Sequence, residues 1–258
     1  MIKAVFFDVD GTLISFKTKM MPQSAADAIA KLQQKGILCV VATGRQLGVL
    51  EQLPVGVIPF DGYLTLNGQM MHDREKKLIM GVPLSGRVKE FLIERFNDHT
   101  YPAMFVEEKD VYVNYISDHV EAVSRWLASE NPKVREYRGD DIYQVNAYLR
   151  PHEECLLDPI KDDCILTRWH FGGMDVIGKG GGKVVGIRKY LEMNGILPEE
   201  IMAFGDGEND MEMLQLAGVG VAMGDGQTCA KEVADYVTAD VDDDGIAKAL
   251  KSFGLIEY

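Results

Sequence analysis

The regular structure of this chain opens with Ala4-Val5-Phe6-Phe7-Asp8-Val9-Asp10-Gly11-Thr12, four apolar residues running straight into two aspartates and a glycine. Four apolar side chains in a row fit a strand covered on both faces, as in a parallel sheet between helix layers. Open α/β sheets hold ligands beyond the carboxyl ends of their strands, which is where Asp8 and Asp10 stand. Two carboxylates two residues apart on extended chain point the same way. They repel unless a cation lies between them or one keeps a proton. Gly11 lets the backbone turn sharply. An Asp-Gly turn closing a strand is also common in its own right, so this segment alone leaves both readings open.

Similar apolar runs recur at 37–42, 63–66, 201–204 and 219–223. Helical spacing fills the gaps between them. Residues 24–34 place Ala25, Ile29 and Leu32 on one face and stop at Gly36; residues 184–192 end before Asn194-Gly195; residues 228–234 make a shorter helix. Strand, helix, strand with right-handed crossovers predicts an α/β protein with a doubly wound, mainly parallel sheet. The stretch from about residue 83 to 178 differs. Val88, Phe91, Leu92 and Phe96 form a helical stripe, and Val120, Val123, Trp126 and Leu127 form a second. Val111, Val113 and Tyr115 alternate with polar residues, as in a strand with one wet face. Apolar runs on either side of Gly172-Gly173 predict a hairpin. The expected organisation is a core of residues 1–82 plus 179–258, with an α+β domain of residues 83–178 inserted into it.

Two further strand ends carry candidate chemistry. The run at 37–42 leads into Thr43-Gly44-Arg45, whose hydroxyl and following N–H suit a phosphate oxygen, although threonine also caps helices routinely. The run at 201–204 leads into Gly205-Asp206-Gly207-Glu208-Asn209-Asp210. Oxygen donors without His or Cys suit a hard cation such as Mg2+. A solvated loop rarely packs such groups so tightly behind an apolar strand. Lys183 opens a helix after the glycine-rich residues 178–182, against the dipole's preference. A bound anion would remove that conflict; an ordinary surface lysine is the plain alternative. Residues 173–180 approach a P-loop but end in Gly180, where the metal-holding hydroxyl belongs, and no G-x-G-x-x-G follows the first strand. The five histidines lack metal-site spacing, with His170 alone a candidate for lining a site.

The formal net charge of -13 opposes binding to nucleic acid, whose phosphates select clustered Lys and Arg. It also requires that any anionic substrate be held by local positive charge. No apolar run approaches the roughly 20 residues needed to cross a membrane. Asp8 and Asp10 interrupt the first apolar run too early for a signal peptide. The four cysteines are scattered without a CxxC pair. The expectation is a cytoplasmic protein without disulfides, nucleic acid or membrane.

In their order along the chain, these segments resemble the haloacid dehalogenase superfamily, and within it the Cof-type branch of sugar-phosphate phosphatases. The likeness covers residues 1–82 and 179–258, with Leu66-Asn67-Gly68, residues 219–224 and Asp243-Asp244-Gly245 as supporting pieces. Val184 stands where that family usually has glycine after its lysine. The resemblance implies a Rossmann-type core with the insert as a cap that chooses the leaving group. It implies Asp8 as nucleophile and Mg2+ ligand, and Asp10 as general acid and base with its backbone carbonyl on the metal. Asp206 completes the ligands, supported by Asp210. The Val9 N–H, Thr43, Gly44, Lys183 and Asn209 are implied to hold the phosphoryl oxygens. The activity implied is Mg2+-dependent hydrolysis of small phosphorylated metabolites, sugar or cofactor phosphates, through an aspartyl-phosphate. Phosphotransfer or phosphomutation on the same aspartate is one alternative. A non-catalytic binding or regulatory role is another, disfavoured because Asp8, Asp10, Lys183 and Asp206 are all present.

Overall fold

Residues 4–7 form a strand buried along its whole length, β1 (Ala4–Phe7), and the rest of the core is arranged around it. A computed structural model describes residues 1–127, 129–169 and 171–257. Along the chain follow α1 (Gln23–Gln34), β2 (Leu38–Ala42), α2 (Leu47–Leu50), β3 (Gly62–Thr65), β4 (Met70–Asp73) and β5 (Leu78–Gly81). Next come α3 (Gly86–Asn97), β6 (Ala103–Val106), β7 (Val111–Val113), α4 (Asp118–Leu127), β8 (Gln144–Ala147), β9 (Cys164–Trp169) and β10 (Gly173–Gly178). The last third holds α5 (Lys183–Asn194), β11 (Ile201–Gly205), α6 (Met211–Leu216), β12 (Val219–Ala222), α7 (Thr228–Val233), β13 (Tyr236–Val237) and α8 (Gly245–Ser252).

The contacts divide the chain into two units, Met1–Met80 with Lys183–Tyr258, and Gly81–Gly182. The main sheet runs β13-β12-β11-β1-β2-β3-β4-β5. β1 pairs in parallel with both β11 and β2, setting Phe7 beside Phe204 and Val41. The loops that leave β1, β2 and β11 therefore emerge side by side. Alternate residues of each strand face opposite ways, which divides the core in two. Val5, Phe7 and Phe204 pack with Ile29 of α1 and Leu250 of α8, while Phe6, Val40 and Ala203 pack with Ile187 of α5 and Leu214 of α6. This is the α/β class with a mainly parallel sheet that the apolar runs predict; β4 departs by pairing antiparallel to β3. Met70–Asp73 is too short and too polar at its end to read as a strand, and it becomes one through the hairpin with β3.

The Gly81–Gly182 unit is a five-stranded sheet of order β7-β6-β8-β10-β9 whose pairs are antiparallel. Val88, Leu92 and Phe96 of α3 bury against one face with Phe105 and Val145. The P-loop-like residues lie in β10, hydrogen-bonded to β8 and β9, so Gly173–Gly178 is sheet and not a phosphate loop. Three expectations here need correcting. The second helical stripe holds only for Val120 and Val123; Trp126 and Leu127 are exposed, because the sheet lies under the first turns of α4 alone. β7 stops at Val113, so Tyr115 is outside it. Its intervening Tyr112 is fully buried, with the Arg135 guanidinium 3.9 Å above its ring, so the strand has no wet face. His170 lies outside the described residues. Among those described, no helix is long and apolar enough to cross a membrane.

Gly220 of β12 tests the packing of the main sheet. A Cβ there would stand 2.3 Å from the Leu214 backbone oxygen, which cannot swing aside as a side chain could. Gly220→Ala is expected to destabilise by about 1–3 kcal/mol, the usual range for overpacking, read as a lowered urea midpoint.

Candidate active site

Lys183 is the first residue of α5, yet its side chain is sealed from solvent. Its ammonium lies 2.5 Å from Asp8 Oδ1 and 2.6 Å from Asp210 Oδ1. The conflict with the helix dipole is thus answered by two carboxylates of the protein itself. Asp210 is fully buried, and its other oxygen accepts the backbone N–H groups of Asp206 (2.9 Å) and Gly207 (3.0 Å). One residue therefore clamps the ammonium and closes the 206–210 loop. Thr12 Oγ1 donates to Asp206 Oδ1 at 3.5 Å, tying the loop after β1 to the loop after β11 across 194 positions of sequence.

One carboxylate oxygen each from Asp8, Asp206 and Asp210 lie within 4.8 Å of one another. Charges so close and so dry resist ionisation. Burial pushes the Asp8 carboxyl up to about 7, with Lys183 pulling the other way and Asp210 and Asp10 adding to the rise. Burial takes Asp206 up to about 9, reinforced by Asp8 and Asp210. Burial would lower Lys183, but Asp210 and Asp8 more than reverse it and keep the ammonium charged.

The other site residues read from the sequence fall around this cluster. Val9 is buried, and its carbonyl accepts the amides of Thr12, Leu13 and Ile14, which curls the chain back after β1. Gly11 takes a φ of 84°, and a Cβ on it would sit 2.3 Å from Asp206 Oδ2. Only glycine leaves that carboxylate its place. Thr43 is buried, and its hydroxyl accepts the Arg45 N–H at 3.1 Å while keeping its own proton to donate. Asn209 reaches the β3–β4 turn instead of the acidic cluster, its Nδ2 donating to Asn67 Oδ1 at 3.1 Å. Asp10 is engaged on both oxygens by Arg45, Nε to Oδ2 at 2.6 Å and Nη2 to Oδ1 at 2.7 Å. A side chain expected to give and take protons is therefore held in a bidentate ion pair. Neither the Asp10–Arg45 pair nor Asn67 carries a local signal of its role, since each depends on a partner 35 or 142 residues away.

A family model described as haloacid dehalogenase-like hydrolase matches residues 5–250. The chain belongs to that family. Among solved structures it is similar to BT1666 of Bacteroides thetaiotaomicron, a phosphatase of the superfamily, with 34% identity over 99% of this chain and 96% of that one and a TM-score of 0.91. It is also similar to the subclass IIB sugar phosphatase BT4131, with 33% identity over 98% of this chain and all of that one and a TM-score of 0.86. A curated relative, the 5-amino-6-(5-phospho-D-ribitylamino)uracil phosphatase YitU of Bacillus subtilis, is 29% identical over 96% of each chain. This haloacid dehalogenase-like hydrolase accordingly stands among the phosphomonoester hydrolases of its family.

The acidic cluster fits a divalent cation. Three carboxylates face one ammonium in a closed space, where burial first and the neighbouring carboxylates second raise Asp8 and Asp206. Oxygen donors of this kind suit a hard ion.

Two tests follow from this geometry. Gly11→Ala forces a methyl group into the Asp206 carboxylate and is expected to weaken Mg2+ binding by at least about tenfold, the loss typical of a displaced ligand environment, measured by titration calorimetry. The second concerns pH in the metal-free protein. Asp8 and Asp206 keep protons in the folded state to about 7 and about 9, against an ordinary value of 3.8. The folded form then binds more protons than the unfolded chain, so stability present at low pH is lost as pH rises through those values. With chelator present, Tm is expected to fall between pH 5 and 9, and to fall less in Asp206→Asn. An Asp206→Asn profile as steep as the parent's would remove Asp206 as a source of the slope.

Proposed function

We propose that this chain is a Mg2+-dependent phosphatase of small phosphorylated metabolites, sugar phosphates or cofactor phosphates, acting through an aspartyl-phosphate on Asp8. The observation that carries the proposal is the buried Lys183 ammonium bridging Asp8 and Asp210, with Asp206 beside them. Burying that much charge costs several kcal/mol per ion and is retained where it performs chemistry. Kinship with a sugar phosphatase and with a phosphatase of a ribityl intermediate supports the substrate class.

Asp8 attacks phosphorus, forming a new O–P bond as the ester O–P bond opposite it breaks. Lys183 fixes the Asp8 side chain through Oδ1 and offers positive charge to the phosphoryl oxygens. Asp10, once parted from Arg45 and protonated from solvent, gives that proton to the leaving oxygen. The Val9 N–H, the Thr43 hydroxyl, the Gly44 N–H and the Asn209 amide hold the equatorial oxygens, where charge accumulates. Asp10 then takes a proton from water as that water attacks phosphorus. The Asp8–phosphate bond breaks, and orthophosphate leaves. Asp8, Asp206 and the Asp10 carbonyl, with Asp210 in support, would hold Mg2+, which would supply charge to offset the repulsion between carboxylate and phosphate. That repulsion is about 4 kcal/mol for two unit charges 4 Å apart at an effective dielectric near 20. We assign the choice of leaving group to the Gly81–Gly182 unit. Four free thiols fit a reducing compartment, and we place the activity in the cytoplasm.

The deciding measurement is phosphate release from a panel of sugar phosphates, nucleotides and cofactor phosphates, with Mg2+ and with chelator. Asp8→Asn is expected to lose more than about a thousandfold in kcat, the scale on which removing a nucleophile acts. Full turnover in that variant would end the proposal.

A further inference from the structure

The turn between β3 and β4 has no part in the reaction as written, yet it touches two of the loops that do. Leu66, Asn67 and Gly68 run in succession through the left-handed region, at φ 51°, 53° and 81°. Asparagine and glycine adopt it readily, and leucine does not. Such strain persists only where the surroundings over-determine it, and it collects at functional sites. Here the surroundings are the loop after β2. The Leu66 N–H donates to Arg45 O at 3.1 Å, and the Asn67 N–H donates to Thr43 O at 2.9 Å. The turn is stitched to the residues that flank Gly44.

This geometry directs the Asn67 side chain, which is buried, across Gly44. A Cβ on Gly44 would stand 3.2 Å from Asn67 Oδ1 and 3.3 Å from Nδ2, so the amide lies against the glycine. From there Oδ1 accepts one hydrogen of the Asn209 amide at 3.1 Å. An amide nitrogen has two hydrogens. With one committed to Asn67, the other keeps a set direction. Turning the Asn209 amide over would bring its oxygen against Asn67 Oδ1, two acceptors with no proton between them.

We propose that Asn67 is a positioning residue that fixes the orientation of the Asn209 carboxamide, so that its remaining N–H is presented to a phosphoryl oxygen. The proposal rests on the phosphatase reading above for the identity of the ligand. It concerns only residues on the loops of the parallel sheet. It adds to the proposed phosphate site a partner whose side chain meets Asn209 and Gly44.

The test is a double-mutant cycle read by binding, with orthophosphate as probe. Wild type, Asn67→Gly, Asn209→Ala and the double variant are titrated with orthophosphate in the presence of Mg2+ by calorimetry. Glycine adopts the φ of position 67 without strain and leaves the backbone bond to Thr43 available; Asn67→Ser, whose hydroxyl is too short to reach Asn209, is the second variant should the first lose its fold. A hydrogen bond to a charged group is worth about tenfold in affinity or somewhat more. Asn67→Gly is expected to weaken orthophosphate about tenfold, Asn209→Ala similarly, and the double variant no more than Asn209→Ala alone. Unchanged affinity in Asn67→Gly, or two effects that multiply in the double variant, would overturn the inference. Either result leaves the phosphatase reading intact, because that reading stands or falls on Asp8→Asn turnover.

Discussion

Three carboxylates and one ammonium, buried together at the end of a parallel sheet, set the terms for the rest of this protein. Asp8, Asp206 and Asp210 cannot share a dry space without compensation, and Lys183 provides only part of it. Everything nearby holds that arrangement in place. Asp210 takes two backbone amides, Thr12 reaches Asp206, and Gly11 keeps clear of it by having no side chain. The remaining imbalance is what fits the cluster to a divalent cation.

That arrangement is possible because β1 lies between β2 and β11. Strands from the beginning and the end of the chain lie side by side and in parallel, so their loops open at one edge. Phe7 and Phe204, stacked at 5.4 Å, hold the register directly beneath Asp8 and Gly205. Core packing and site geometry are here the same interaction seen from two levels. A shift of one residue in the pairing of β1 with β11 would turn Phe7 from the α1–α8 side of the sheet to the α5–α6 side and move Asp8 out of step with Asp206.

The site is layered. Its centre is charge against charge, with distances near 2.5 Å and no room for substitution. Around it are dipoles: the Val9 carbonyl gathering three amides, the Thr43 hydroxyl holding Arg45's N–H, and the Asn67 amide turned toward Asn209. These groups cost little to bury because each is paired. The Asp10–Arg45 pair belongs to a third kind, less buried than the centre and made of groups that can exchange partners.

Much of this was legible in the residues. Apolar runs that lead to Asp8, Thr43 and Asp206 name three strands whose ends meet at one edge of the sheet, because a strand buried on both faces admits little polarity along its length. Periodicity found α1, α3 and α5 because each buries one face and leaves the other to solvent. It failed at Trp126, Leu127 and Tyr112, where which face is covered depends on neighbours distant in sequence. The chain by itself determined which side chains were available and that oxygen donors would dominate the site, since both are matters of composition and local spacing. Only the tertiary structure decided the pairings: Lys183 with Asp8 and Asp210, Arg45 with Asp10, and Asn67 with Asn209. Each joins segments between 27 and 175 residues apart. Such contacts exist only once the sheet has brought its strand ends together, and no local pattern encodes them.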